Sequence, residues 1–425
     1  MKLVGGRAPA VRIPLAHFLA IPPWLLAAAW LFATSGDALH ASRWTPASLA
    51  LVHVLLLGVL GNGMLGSLQQ FLPVAAGVDT RLLQRAGLAL YTLFNLGLVL
   101  LLAGFLIESA WRSWGGTLLA LALLPFAACS LTALCRAGLS ATPRWQLATA
   151  LACLGMAGAL GLWLAISRRG LPGLGHAQTM DLHAVLGLAG GVTGLLAAVG
   201  AIVLPMFQGL ARWSERGQRT AWLIATLVLL AALGLRLAGP LDSTAMALLA
   251  ALPALWLGGC VLFGQWRRSS RRRPGLVRAW CIGWALLGSA VLLALIGYAG
   301  GHPPALAAAA WLLLAGALPL LLQGMLLEIL PFLHWNRLLQ ARPLGSHAHL
   351  PGVDALLPER DKHALLPLNM LFACAVLASA LGDARWVDAA CGALLGLQAA
   401  TLFGVMLRCL HRVSRVAREY GLAIA

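Results

Sequence analysis

The chain has 425 residues, of which 60% are apolar and 10% charged, with a formal net charge of +17 from 30 basic and 13 acidic side chains. An ordinary soluble protein is about a quarter charged. These numbers exclude a soluble globular enzyme, a disordered chain and a disulfide-knotted secreted domain, and describe a polytopic membrane protein.

Spanning a bilayer takes about 20 apolar residues. Twelve runs meet that length: 14–34, 46–73, 86–109, 115–137, 145–167, 181–205, 220–239, 243–265, 276–300, 305–333, 363–382 and 386–410. The first follows Lys2, Arg7 and Arg12. It has no convincing cleavage site and leads into further spans, so it is predicted as a span and not a signal peptide.

The basic residues orient the bundle. With the N-terminus inside, 24 Lys and Arg fall on inner segments and 6 on outer ones (Arg43, Arg112, Arg168, Arg169, Arg236 and Arg385). That split predicts both termini on the cytoplasmic side; the membrane expected is a bacterial-type inner membrane. Tryptophans fit the same frame. Trp44, Trp111, Trp114 and Trp386 fall near outer ends, and Trp145, Trp213, Trp266, Trp280 and Trp335 near inner ends, as interfacial belts. The RRSSRRR run at 267–273 reads as a topology anchor that touches anionic lipid, not as a nucleic-acid site. The eight cysteines lie in spans or at their ends without a CxxC pair, which predicts neither a disulfide framework nor a cysteine metal site.

Three spans end alike. Span 2 reads GSLQQFLPVAAG, span 6 AVGAIVLPMFQG and span 10 GMLLEILPFLHW, placing Leu-Pro at Pro73, Pro205 and Pro331. An arginine follows each (Arg81, Arg212, Arg337), and Gln70 and Glu328 each stand three residues before their proline. One such proline only ends a helix; three at equal spacing and depth predict an internal repeat. The expectation is a single all-α integral membrane domain, 1–425. Its twelve transmembrane helices form three like-oriented pseudo-repeats of four, roughly 1–140, 141–273 and 274–425.

On that plan, and on His53 in LVHVLLLGVLGNGMLG and His183 in MDLHAVLGLAGGVTG, the chain resembles the haem-copper oxidase subunit I superfamily. It is closest in character to the NnrS-type nitric-oxide-response proteins. The resemblance implies that histidines near the outer ends of spans 2, 6 and 10 carry the function. His53 and His183 lie at similar depth from their prolines; in span 10 the matching position is Trp311, with His302 at the outer mouth and His334 past the inner end. The oxidase ligand set is incomplete: span 7 has no histidine, span 10 has no HxH and span 6 has no tyrosine. What the resemblance implies is therefore a reduced site, one haem b or one copper on His53 and His183, helped by His302, without proton-pumping oxygen reduction.

Other polar residues carry two readings each. Beside His183, Gly187, Gly190, Gly191 and Gly194 share a helix face, which serves either a flat macrocycle or close helix packing. Met64 reads as a core or lipid-facing side chain. Glu328 is the sole acid deep in a span; it is either a proton site or bonded to Asn62, Gln69, Gln70 or Asn95, and Asn62 and Gln70 are polar interior groups in either case. The inner loop 334–362 holds His347, His349, Asp354, Glu359 and Asp361, with His363 just beyond; these make either a zinc or copper site or a solvated linker. His17, His40, His176 and His411 read as membrane-edge residues.

No Walker loop, dinucleotide fingerprint, HExxH or GxSxG occurs, and no catalytic group is named. The leading expectation is electron handling or nitric-oxide sensing or protection, with a cytochrome or respiratory-complex subunit as partner and no nucleic acid. The alternatives are a cofactor-free transporter or permease and a non-catalytic subunit of a respiratory complex.

Overall fold

The computed structural model describes residues 10–74, 77–136, 139–167, 169–267, 274–342, 349–379 and 385–422. Lys2, Arg7, Arg168, His347 and the arginine run beyond Arg267 lie outside the described residues. Among the described residues the fold is all-helical, with twelve helices long and apolar enough to cross a membrane. In chain order these spans are Arg12–Ala41, Pro46–Val74, Arg81–Leu106, Trp111–Cys135, Ala141–Ser167, His176–Phe207, Glu215–Ala238, Ser243–Trp266, Pro274–Ala299, Pro303–Gln340, Glu359–Ser379 and Trp386–Glu419. The charge split assigns the outer and inner ends of the spans.

Packing repeats along the chain. Spans 1, 5 and 9 each lie against the following span, 2, 6 and 10. Span 4 packs on span 5, span 8 on span 9 and span 12 on span 1, so the bundle closes on itself. Outer-end polar contacts fasten the closure: His40 bonds Asp388 at 2.8 Å between spans 1 and 12, and Ser113 donates to the Ala165 carbonyl between spans 4 and 5.

Spans 2, 6 and 10 share a feature the apolar pattern does not announce. Each carries a π-helical segment, Val54–Gly61, Leu186–Thr193 and Leu312–Ala317. Val54 to Pro73, Leu186 to Pro205 and Leu312 to Pro331 are 19 residues in each case. A π turn is wide and uncommon, and it needs support from its neighbours. In span 2 the support is glycine. A Cβ on Gly58 would meet Trp24 at 2.6 Å, and one on Gly61 would meet Phe94 at 2.9 Å.

A buried amide network holds the same region. His17 Nδ1 donates to Asn62 Oδ1 (2.9 Å), and Gln69 donates to His17 Nε2 (3.3 Å). Asn62 donates to the Gly58 carbonyl inside the π segment and to Asn95, which also accepts from the Trp24 indole. His17, 1% exposed, is thus an interior hinge of spans 1 to 3 and not an edge residue. Asn62 is 0% exposed, as the sequence reading of a polar interior expects. Asn62→Leu orphans His17 Nδ1, whereas Asn95 keeps the Trp24 indole and the Tyr91 carbonyl. Single hydrogen bonds inside membranes average about 0.6 kcal/mol, but orphaned buried partners cost roughly 1–3 kcal/mol. The expected loss is about 2 kcal/mol, read from detergent unfolding of the variant against wild type.

Trp280 departs from the belt expectation. It is 2% exposed, and its indole donates to the Leu321 carbonyl across spans 9 and 10 at 3.1 Å. Trp44, Trp111, Trp114, Trp145, Trp213, Trp266 and Trp386 are exposed, as belts require. Met64 packs partly buried against the core.

The outer end of span 8 is capped by Asp242, which accepts from the Thr244 and Ala245 backbone amides at 2.8 Å. The Ala245 amide, then the Tyr298 hydroxyl and the Thr244 amide, hold its carboxyl below the usual range against desolvation. The cap therefore contributes above the unfolded value of about 3.9 and is lost as pH falls through the lower folded value. Asp242→Ala costs about 1 kcal/mol at neutral pH, and unfolding curves of variant and wild type converge as the medium is acidified.

Candidate metal site

His53 and His183 come together at the outer end of the bundle. Their ring centres are 6.3 Å apart and the planes are within 17° of parallel. His53 ends the regular turns of span 2 just before its π segment, and its Nδ1 bonds the Leu49 carbonyl one turn back at 2.7 Å. His183 reaches across to span 5, where its Nδ1 bonds the Ala157 carbonyl at 2.8 Å.

A carbonyl oxygen only accepts, so each Nδ1 carries the proton. In a neutral ring that leaves Nε2 with its lone pair, the form in which imidazole binds metal. Span 5 is built for this contact. On a helix, a Cβ leans back over the preceding turn, and residue 161 is glycine. A Cβ there would stand 3.0 Å from His183 Cε1. Gly161 thus uncovers the Ala157 carbonyl and leaves room for the ring.

Two further groups complete the surroundings. The Phe105 ring of span 3 lies 5.3 Å from His53, and the Arg112 guanidinium lies 5.6 Å above Phe105. Asp181, two residues before His183 and 2% exposed, accepts from Arg236 (2.9 Å) and from the Ser243 hydroxyl (2.6 Å). Arg43 stands 3.3 Å from the same carboxylate. Asp181 so pins the start of span 6 to spans 7 and 8 and to the turn after span 1. Three of the six outer arginines therefore sit on this assembly, which the charge count registered only as exceptions.

The separation limits what the pair can hold. Two imidazoles on one ion, at a metal–nitrogen distance of about 2.0 Å, place their centres at most roughly 6.3 Å apart, in a near-linear arrangement. A tetrahedral angle would draw them closer. Among the described residues no third His, Cys, Asp or Glu joins them in a metal-holding group. Zinc, which takes four ligands, is poorly served; copper, the tightest binder of its row, is better served.

The glycine face does not serve a macrocycle. A Cβ on Gly190 would meet Cys153 Sγ at 2.7 Å, one on Gly191 would meet Leu154 Cγ at 2.7 Å, and one on Gly194 would meet Ala150 Cβ at 3.0 Å. A Cβ on Gly187 would make ordinary contact with Ala157 Cβ at 3.6 Å. The stripe is filled by span 5, so close helix packing is its use.

His302 stands apart from the pair. It is exposed and caps span 10, its Nδ1 accepting from the Ala305 amide at 3.2 Å. Trp311, at the span 10 position matching His53, is buried and packs edge-on against Phe32.

Glu328 is fully buried, and its partner is not one of the amides expected. Lys362 Nζ donates to it at 2.6 Å and to Glu359 at 2.8 Å. Span 11 begins at Glu359, four residues before its apolar run, which carries Lys362 into the bundle. Asn62 and Gln69 are engaged in the His17 network, and Gln70 is buried on span 2. The acids of the inner loop are also engaged: Asp361 accepts from Arg412 at 2.7 Å, and Asp354 lies 3.9 Å from Lys362. His349 is exposed.

No protein-family model matches the chain, and none of the curated proteins matches its sequence.

Proposed function

We propose that the chain is a metalloprotein of a bacterial-type cytoplasmic membrane, in which His53 and His183 together hold one copper ion. The juxtaposition of two imidazoles, each with Nδ1 tied to a backbone carbonyl, carries this reading. Both rings are pre-set as neutral Nε2 donors before any ion arrives, which lowers the cost of binding. Phe105 and the packed outer ends of spans 2, 3, 5 and 6 keep the surroundings apolar, which favours a low-charge copper state.

The scaffold we propose is three like-oriented four-span units in an oxidase-like bundle with both termini inside. The common 19-residue interval from π segment to Leu-Pro, the repeated packing of spans 1, 5 and 9 on their successors and the 24-to-6 charge split support it. Copper held there supplies one-electron exchange and affinity for a diatomic gas, so the role is electron handling or nitric-oxide sensing or protection. The chain's own part is to orient the donors through Leu49, Ala157 and Gly161 and to exclude water.

The test is the optical spectrum and metal content of detergent-purified protein expressed with copper and haem in supply. The expected result is near-stoichiometric copper and no Soret band. A Soret band lost in His53→Leu or His183→Leu reassigns the pair to haem. Colourless, metal-free protein overturns the reading.

A further inference from the structure

A second polar cluster lies in the inner half of spans 9, 10 and 11, away from the histidines. A cavity with about 10 Å³ of room is lined by Gly275, Leu276, Gln323, Gly324, Lys362 and Leu365, among others. Lys362, Gln323 and Asn369 are 5%, 1% and 0% exposed. Asn369 Nδ2 donates to Gln323 Oε1 at 3.3 Å. Gln323 Nε2, Asn369 Oδ1 and, on span 12, Gln398 Oε1 are buried without a hydrogen-bond partner among the described residues. Native interiors rarely leave such groups unspent. However the two amides of the Gln323–Asn369 pair are turned, one donor and one acceptor are left over.

The chemistry of the lining identifies the guest. Lys362 presents only donors; of the amide pair it is Gln323 that lines the cavity, with its Nε2 free as it stands or its Oε1 free if both amides are turned. A guest between them must accept from an ammonium and either accept from or donate to the Gln323 amide, and water does both. The room is about that of a single water, roughly 10–15 Å³, too little for an organic molecule. Gly275 and Gly324 keep the space open: a Cβ on Gly275 would meet Glu359 Oε2 at 3.0 Å, and one on Gly324 would meet Ala279 Cβ at 3.0 Å.

We infer that this cavity is a built site for one water, bridging Lys362 to the Gln323–Asn369 amide pair. The water joins two groups of contacts into one polar path. The path starts at Glu359 on the inner surface, passes Lys362 and Glu328, and reaches Gln323 and Asn369 near the middle of the bundle. It is a hydrated inlet from the inner phase, and it does not depend on any ion at His53 and His183.

The experiment is a high-resolution cryo-electron microscopy map of the full chain in lipid nanodiscs, for wild type and Gln323→Met. The expected result is one ordered density within hydrogen-bond distance of Lys362 Nζ and the Gln323 amide, lost in Gln323→Met. A dry cavity in a map that resolves other buried waters overturns the inference, and so does density unchanged in the variant. Radiolytic hydroxyl-radical footprinting of wild type gives a check that needs no variant. Leu276 and Leu365 should be oxidised several-fold faster than Leu312 and Leu321, which are equally buried but line no such cavity; equal rates overturn the inference.

Discussion

Lys362→Met destabilises the protein by about 3 kcal/mol or more, the largest effect expected of a single substitution outside the histidine site. The variant removes the cation 2.6 Å from a carboxylate that is 0% exposed. Breaking a buried ion pair by deleting one partner typically costs roughly 3–5 kcal/mol, because the remaining charge keeps its desolvation cost and loses that part of its compensation. Replacing both partners with apolar groups of similar size is close to neutral by the same reasoning. Glu328→Leu combined with Lys362→Met should therefore recover most of the loss. Equal instability of the single and double variants would show that Lys362 acts chiefly through Glu359, which it also bonds. Chemical unfolding of the three proteins in one detergent decides the matter.

Gly161→Leu weakens metal binding about 10–100-fold, although both histidines are retained. Outer-shell partners that orient a ligating imidazole typically carry effects of that size. A Cβ at residue 161 would stand 3.0 Å from His183 Cε1, and a branched side chain beyond it has no room unless the ring leaves the Ala157 carbonyl. Once Nδ1 loses that bond, the tautomer is no longer fixed and the donor is no longer aimed. Copper affinity by competition with a chelator of known strength is the readout, with the thermal transition measured alongside to show that the fold is retained. Wild-type affinity in a folded Gly161→Leu protein would contradict the role given to span 5.

The spans were legible because apolar length is a one-dimensional signal, whereas the pairing of His53 with His183 was implied only by the resemblance. Counting back 20 residues from Pro73 and 22 from Pro205 puts the two histidines at similar depth, and the bundle sets them 6.3 Å apart. Azimuth was not legible in the same way. A helical wheel puts Gly187, Gly190, Gly191 and Gly194 on one face, but only the fold shows Cys153, Leu154 and Ala150 lying in it. His17 and Trp280 sit at interfacial depth in the sequence yet turn inward, because Asn62 and the Leu321 carbonyl wait for them there. In the sequence Lys362 ends the inner loop, because the apolar run begins after it; the helix begins at Glu359, one turn earlier. The π segments leave no mark in hydropathy, since widening a helix by one residue per turn changes which side chains share a face and not how apolar they are. Asp181 carries no local sequence signal, because its arginines come from positions 43 and 236, far away in the chain.

The claim that His53 and His183 are a ligand pair is tested most directly by the copper-to-protein ratio of the purified wild type beside His183→Leu, after copper-replete expression and removal of loosely held metal. The account predicts close to one copper per wild-type chain and none in a folded His183→Leu protein. Wild-type protein without copper, or the same copper content in both, would contradict it.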